Sequence, residues 1–151
     1  MNKECKKTIS IRIYEQYEPM LKNWGNGSIS AGVNEVIARL IEHEKSASYE
    51  VGSLLSPNEW KFLADVLNGF NPEGVRFSKS ALSVECMDAE KFDGKATRWG
   101  VSIPELVKKI NSMPTTCIDA IYREVEKFWN EQPDLESWAN SMGSRMLNLN
   151  S

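Results

Sequence analysis

The chain has few of the residues from which metal and catalytic sites are usually built. It contains one histidine, His43, and three widely spaced cysteines, Cys5, Cys86 and Cys117. Because three thiols are an odd number and no Cys-x-x-Cys or His-x-x-x-His spacing occurs, the sequence favours neither a disulfide framework nor a zinc site. His43 stands between two glutamates at the end of a helical pattern, where a solvated imidazole is expected. We therefore expect no cofactor and no enzymatic activity.

Long apolar stretches are also missing from the sequence. There is no run of about 18 apolar residues, and the first residues are polar, so the sequence predicts neither a membrane span nor a secretion signal. The segment Trp24-Gly25-Asn26-Gly27-Ser28 lacks the lysine that a phosphate-binding glycine loop requires. Together with the unpaired thiols, these absences predict a cytoplasmic protein.

What the chain does have is a strict alternation of apolar and polar side chains just before Tyr14. On a β-strand successive side chains point to opposite faces. The apolar face comprises Ile9, Ile11 and Ile13, and the polar face comprises Thr8, Ser10 and Arg12. A lone strand is unstable in water, so this pattern predicts a strand that needs both a partner strand and a hydrophobic cover.

Two helical patterns follow the predicted strand. The first carries Tyr17, Met20, Leu21 and Trp24 on one face and meets a stop signal at Gly25-Asn26-Gly27. The second has Ser30 as its predicted N-cap and ends in the charged segment 42–45. Its apolar stripe comprises Val33, Val36, Ile37, Leu40 and Ile41. About 45 residues are too few for a self-sufficient core, so we expect a dimer whose core combines this stripe with the three isoleucines of the strand.

This order of strand, helix and helix over residues 6–44 resembles the ribbon-helix-helix DNA-binding proteins of the Arc, MetJ and CopG type. The resemblance implies that two chains pair their strands into an antiparallel ribbon that enters the major groove of DNA. It also implies which residues contact DNA. Base edges would be contacted by Thr8, Ser10 and Arg12, and phosphates by the amides of Ser30, Ala31 and Gly32 and by Lys3, Lys6 and Lys7.

The charge distribution is uneven along the chain. The net charge is −3, yet residues 1–12 hold four basic side chains against one acidic one, a local charge of +3. Residues 47–151 hold 11 basic and 15 acidic side chains, a net charge of −4. Positive charge therefore lies beside the predicted DNA-contacting residues, and dimerisation would double it.

The rest of the chain reads as a second, helical domain. We expect domains at 1–45 and 54–147, a linker at 46–53 and a frayed tail at 148–151. Capping boxes at Ser56-Pro57-Asn58-Glu59 and Ser102-Ile103-Pro104-Glu105 start two of four or five short helices. Residues 81–87 fit either a helix or a short strand. Trp60 and Trp129 are expected in the core, whereas Trp99 is less periodic and is a candidate anchor for a partner.

The expected fold is therefore mainly α, with an N-terminal ribbon-helix-helix and a compact all-α domain. The function expected from the resemblance is that of a sequence-specific DNA-binding homodimer, a transcriptional repressor, with pairing of dimers into tetramers left open. Two alternatives remain. The protein is an antitoxin or adaptor that holds a protein partner through residues 54–147, or its N-terminal part is a dimerisation module without DNA binding.

Overall fold

A computed structural model describes residues 7–69 and 78–149 of the chain, with side chains as far as residue 144. A short 3₁₀ helix, Glu15–Tyr17, leads into the first α-helix. The α-helices are α1 Glu18–Trp24, α2 Ile29–Leu54, α3 Pro57–Val66, α4 Lys79–Asp93, α5 Lys95–Trp99, α6 Ile103–Ser112, α7 Thr115–Glu131 and α8 Leu135–Leu149. The prediction of a mainly α protein is confirmed.

The predicted N-terminal strand is wrong. Residues 7–14 have no regular secondary structure, and no strand occurs anywhere in the described ranges 7–69 and 78–149. A strand is held by hydrogen bonds to a neighbouring strand. The described part of this single chain contains no second strand that could pair with residues 8–13. The ribbon-helix-helix fold, which depends on that strand, is therefore not the fold of this chain.

The chain divides into two compact units, and each is described by itself. The N-terminal unit ends at Glu42, and the C-terminal unit begins at His43. Helix α2, with 26 residues, has residues in both units. Residues 46–53, expected to form a linker, are the last turns of this helix, and Ala47 and Val51 are buried in the core of the C-terminal unit.

In the N-terminal unit, α1 and α2 cross at very short range. A Cβ atom placed on Gly32 would lie 2.0 Å from the backbone oxygen of Leu21, and one placed on Gly25 would lie 2.0 Å from the backbone oxygen of Ser28. Real side chains do not tolerate such distances, so the crossing requires glycine at both positions. Leu21, at 5% exposure, is the buried side chain beneath it.

The C-terminal unit has an extensive hydrophobic core. Its largest fully buried side chains are Val51, Trp60, Phe62, Leu63, Leu82, Cys86, Leu106, Ile110, Ile118, Ile121, Val125 and Met142. They come from the end of α2 and from α3, α4, α6, α7 and α8. The ring of Trp138 packs edge-on against Trp60, with centroids 5.6 Å apart, and also contacts Phe128. Trp60 is buried as predicted, and Trp129 is partly buried, its indole N–H donating to Ala64 O at 2.9 Å.

The described parts of residues 57–149 form six helices, α3 to α8, whereas four or five were predicted from the sequence. The additional one is the five-residue α5. It starts directly after Gly94, whose left-handed backbone (φ 63°) ends α4. Residues 81–87 are helical, which removes the strand alternative.

The two predicted capping boxes have different outcomes. Ser56 Oγ accepts from the Glu59 amide at 3.2 Å, while Glu59 Oε1 accepts from the Ser56 amide at 3.0 Å, so this box is complete. Helix α6 begins where predicted, but the Ser102 side chain makes no capping hydrogen bond. None of the helices in the described ranges is both long and apolar enough to cross a bilayer.

Candidate nucleic-acid interface

The residues expected to contact DNA bases lie on the surface of the N-terminal unit. Thr8, Ser10 and Arg12 are exposed, as is Lys7. Within the described part of the chain, neither Arg12 nor Lys7 takes part in an ion pair or a hydrogen bond. Lys3 and Lys6 lie outside the described residues.

The three isoleucines of the same segment also remain exposed, by 71% for Ile9, 55% for Ile11 and 38% for Ile13. The exposure falls toward the helices because Ile11 and Ile13 line an open groove of about 340 Å³ in the N-terminal unit. The groove is lined by Ile11, Ile13, Tyr17, Met20, Leu21, Val33, Val36 and Ile37. The expected hydrophobic cover is therefore present in part, and the groove stays open to solvent.

Sequence reasoning did not include Tyr17 and Met20 in the apolar dimer surface, although both line this groove. The signal was available, since both residues belong to the apolar face predicted for the first helix. The structure leaves Tyr17 46% and Met20 42% exposed.

A second exposed apolar area continues along α2. Ile37 is 49% exposed, Leu40 54% and Ile41 46%. Val33 and Val36, from the same predicted stripe, are partly buried. All eight residues expected in a dimer core thus lie on or beside open apolar surface. We call the groove together with Ile9, Leu40 and Ile41 the apolar surface of the N-terminal unit.

The start of α2, where the resemblance placed a phosphate, is stabilised by the chain itself. Ser28 Oγ accepts from the Ala31 amide at 3.2 Å, and Ser28 O accepts from the Gly32 amide at 3.0 Å. Ser28, rather than the predicted Ser30, therefore caps the helix. Ser30 lies exposed in the first turn, Ala31 is exposed beside it, and Gly32 is buried in the helix crossing. The amides of Ala31 and Gly32 therefore both donate to Ser28 within the chain.

One cation of the N-terminal unit is held in place by two neighbours. The guanidinium carbon of Arg39 lies 4.6 Å from the centroid of the Trp24 ring, and its Nε donates to Glu35 Oε1 at 3.0 Å. The contact between Trp24 and Arg39 joins the end of α1 to α2 within this unit. All three side chains are at least partly exposed, so the ion pair is screened and contributes modestly to stability.

Trp99, a candidate partner anchor by sequence, has an internal role instead. Its indole N–H donates to Asp65 Oδ2 at 2.9 Å, and Lys95 Nζ lies 3.3 Å from the other carboxylate oxygen. Lys95 and Trp99 belong to α5, and Asp65 belongs to α3. The Asp65 carboxylate therefore fixes the short helix α5 to α3. The side chain packs against the hydrophobic core.

The titratable residues were compared with the side-chain sets that bind metal ions and with the thiols that react at neutral pH. No group of three histidine, cysteine or acidic side chains suited to a metal ion occurs among residues 7–69 and 78–149. Burial raises the pKa of the Cys86 thiol to about 12 and that of Cys117 to about 11. Since the thiolate is the reactive form, these raised pKa values disfavour reaction of both thiols at neutral pH. His43 is exposed.

Comparison of the chain with protein families, with curated proteins and with solved structures finds no match.

Proposed function

We propose that the protein is a DNA-binding homodimer that represses transcription, with its N-terminal unit as the part that both dimerises and contacts DNA. The observation that carries the proposal is the apolar surface of this unit. Ile9, Ile11, Ile37, Leu40 and Ile41 are each between 46% and 71% exposed in a single chain. Contiguous apolar area of this kind marks an interaction site, and in so small a unit a second copy supplies the missing burial.

The DNA-binding part of the proposal rests on the residues beside that surface. Lys7 and Arg12 are exposed cations without an internal partner in the described chain, and Thr8 and Ser10 are exposed hydroxyls between them. Arginine donates two hydrogen bonds to guanine in the major groove, and hydroxyls both donate and accept. A dimer brings two copies of this segment together, which doubles the positive charge and implies a two-fold symmetric DNA site.

The full-length protein tests this proposal in two steps. Selection from a random double-stranded DNA pool is expected to recover an inverted repeat, because the two halves of a homodimer read the same sequence. Arg12→Ala is then expected to lose about 1 to 3 kcal/mol of specific affinity, measured by fluorescence anisotropy.

Lys127→Ala is the matched control, since it removes one exposed positive charge from the C-terminal unit. We expect it to leave specific affinity unchanged. Equal losses for the two variants would refute the role of Arg12 in sequence recognition.

A second function, dimerisation without DNA binding, is favoured by the same apolar surface and needs no contribution from Arg12. The salt dependence of binding distinguishes the two. A protein that contacts phosphates binds DNA more tightly as salt is lowered, with a slope set by the number of contacts. A stable dimer that binds no DNA at low salt would support the function of a dimerisation module. It would also refute the proposal that the protein is a repressor.

A further inference from the structure

We draw no further inference here: the strongest candidate, the exposed apolar face of α4 formed by Val84, Met87 and Phe92, is an unpartnered surface, and nothing in the structure shows what covers it.

Discussion

The N-terminal and C-terminal units of this protein bury their apolar side chains to very different extents. Among residues 7–42, Leu21 is the large apolar side chain that is fully enclosed, while ten others are more than a third exposed. In the C-terminal unit, four side chains from just two helices, α3 and α7, are completely buried: Trp60, Phe62, Ile118 and Ile121. The C-terminal unit therefore has an extensive core of its own, whereas the N-terminal unit leaves most of its large apolar side chains exposed.

The two units differ in how much apolar area they bury within one chain, and this burial is a main source of stability. Buried apolar area stabilises a fold by about 25 cal/mol per Å², and the C-terminal unit obtains this burial within one chain. If a second copy covers the apolar surface of the N-terminal unit, as proposed, the stability of that unit depends on protein concentration. Four substitutions, each paired with a control, probe the burial and the local contacts of the two units.

Phe62→Ala in α3 removes a ring that is 0% exposed in the C-terminal unit. The cavity left behind is expected to lower the free energy of unfolding by about 3 to 5 kcal/mol, measured by denaturant unfolding. Phe92→Ala is the control, because the Phe92 ring is 70% exposed in the same unit. A loss below about 1 kcal/mol for Phe62→Ala would contradict an independent core.

Ile37→Asp places a carboxylate on the apolar surface of the N-terminal unit. Burying an unpaired charge is costly, so we expect the dimer to weaken by about 100-fold, or about 3 kcal/mol, in sedimentation equilibrium.

Val84→Asp makes a matched comparison, since Ile37 and Val84 are both 49% exposed but lie in different units. It is expected to leave association unchanged. If the native protein stays monomeric throughout, or if both variants dimerise normally, the N-terminal unit is not a dimer interface.

Gly32→Ala tests the helix crossing. The new methyl group would meet the backbone oxygen of Leu21 at 2.0 Å, so α1 must shift, at a cost of about 1 to 3 kcal/mol. Amide hydrogen exchange in α1 should therefore accelerate. Gly143→Ala is the opposite case, because its Cβ would lie 3.9 Å from Pro57 and alanine favours a helix. Unchanged exchange in Gly32→Ala would mean that the crossing is looser than described.

The smallest effect separates the two predicted capping boxes of the C-terminal unit. Ser56→Ala removes a hydroxyl that accepts from the Glu59 amide, and we expect a loss of about 1 kcal/mol in unfolding free energy. Ser102→Ala removes a hydroxyl without a capping bond and is expected to change stability by less than about 0.5 kcal/mol. Equal losses would show that Ser102 caps α6 in solution.

Local signals in the sequence predicted the starts of α3 and α6 correctly. The two predicted capping boxes each act within one helical turn, and the helices begin directly after Ser56 and Ser102. The predicted capping box at Ser102 starts a helix, but its side chain does not form the capping hydrogen bond. That hydrogen bond depends on side-chain geometry, which the sequence pattern does not specify.

Features that depend on distant residues were not predictable in the same way. Residues 46–53 are small and polar enough to suggest a linker, yet Ala47 and Val51 pack into the C-terminal core and keep α2 helical. The alternation at 8–13 predicted a strand, but strand formation depends on a partner that one chain does not contain. The alternation predicted an exposed polar face and a covered apolar face, but Ile9 and Ile11 are exposed together with Thr8, Ser10 and Arg12. Tyr17 and Met20 belong to the predicted apolar face of the first helix, but their place in the groove depends on how the N-terminal unit packs.

The indole rings of the two units differ in their access to solvent. Trp24 is the single tryptophan of residues 1–42 and is 37% exposed, whereas Trp60 is 0% exposed and Trp138 9% exposed in the other unit. A water-soluble quencher such as iodide reaches an exposed indole and not an enclosed one. Iodide is therefore expected to quench Trp24 more strongly than Trp60 and Trp138, while Trp99 and Trp129 are of intermediate exposure.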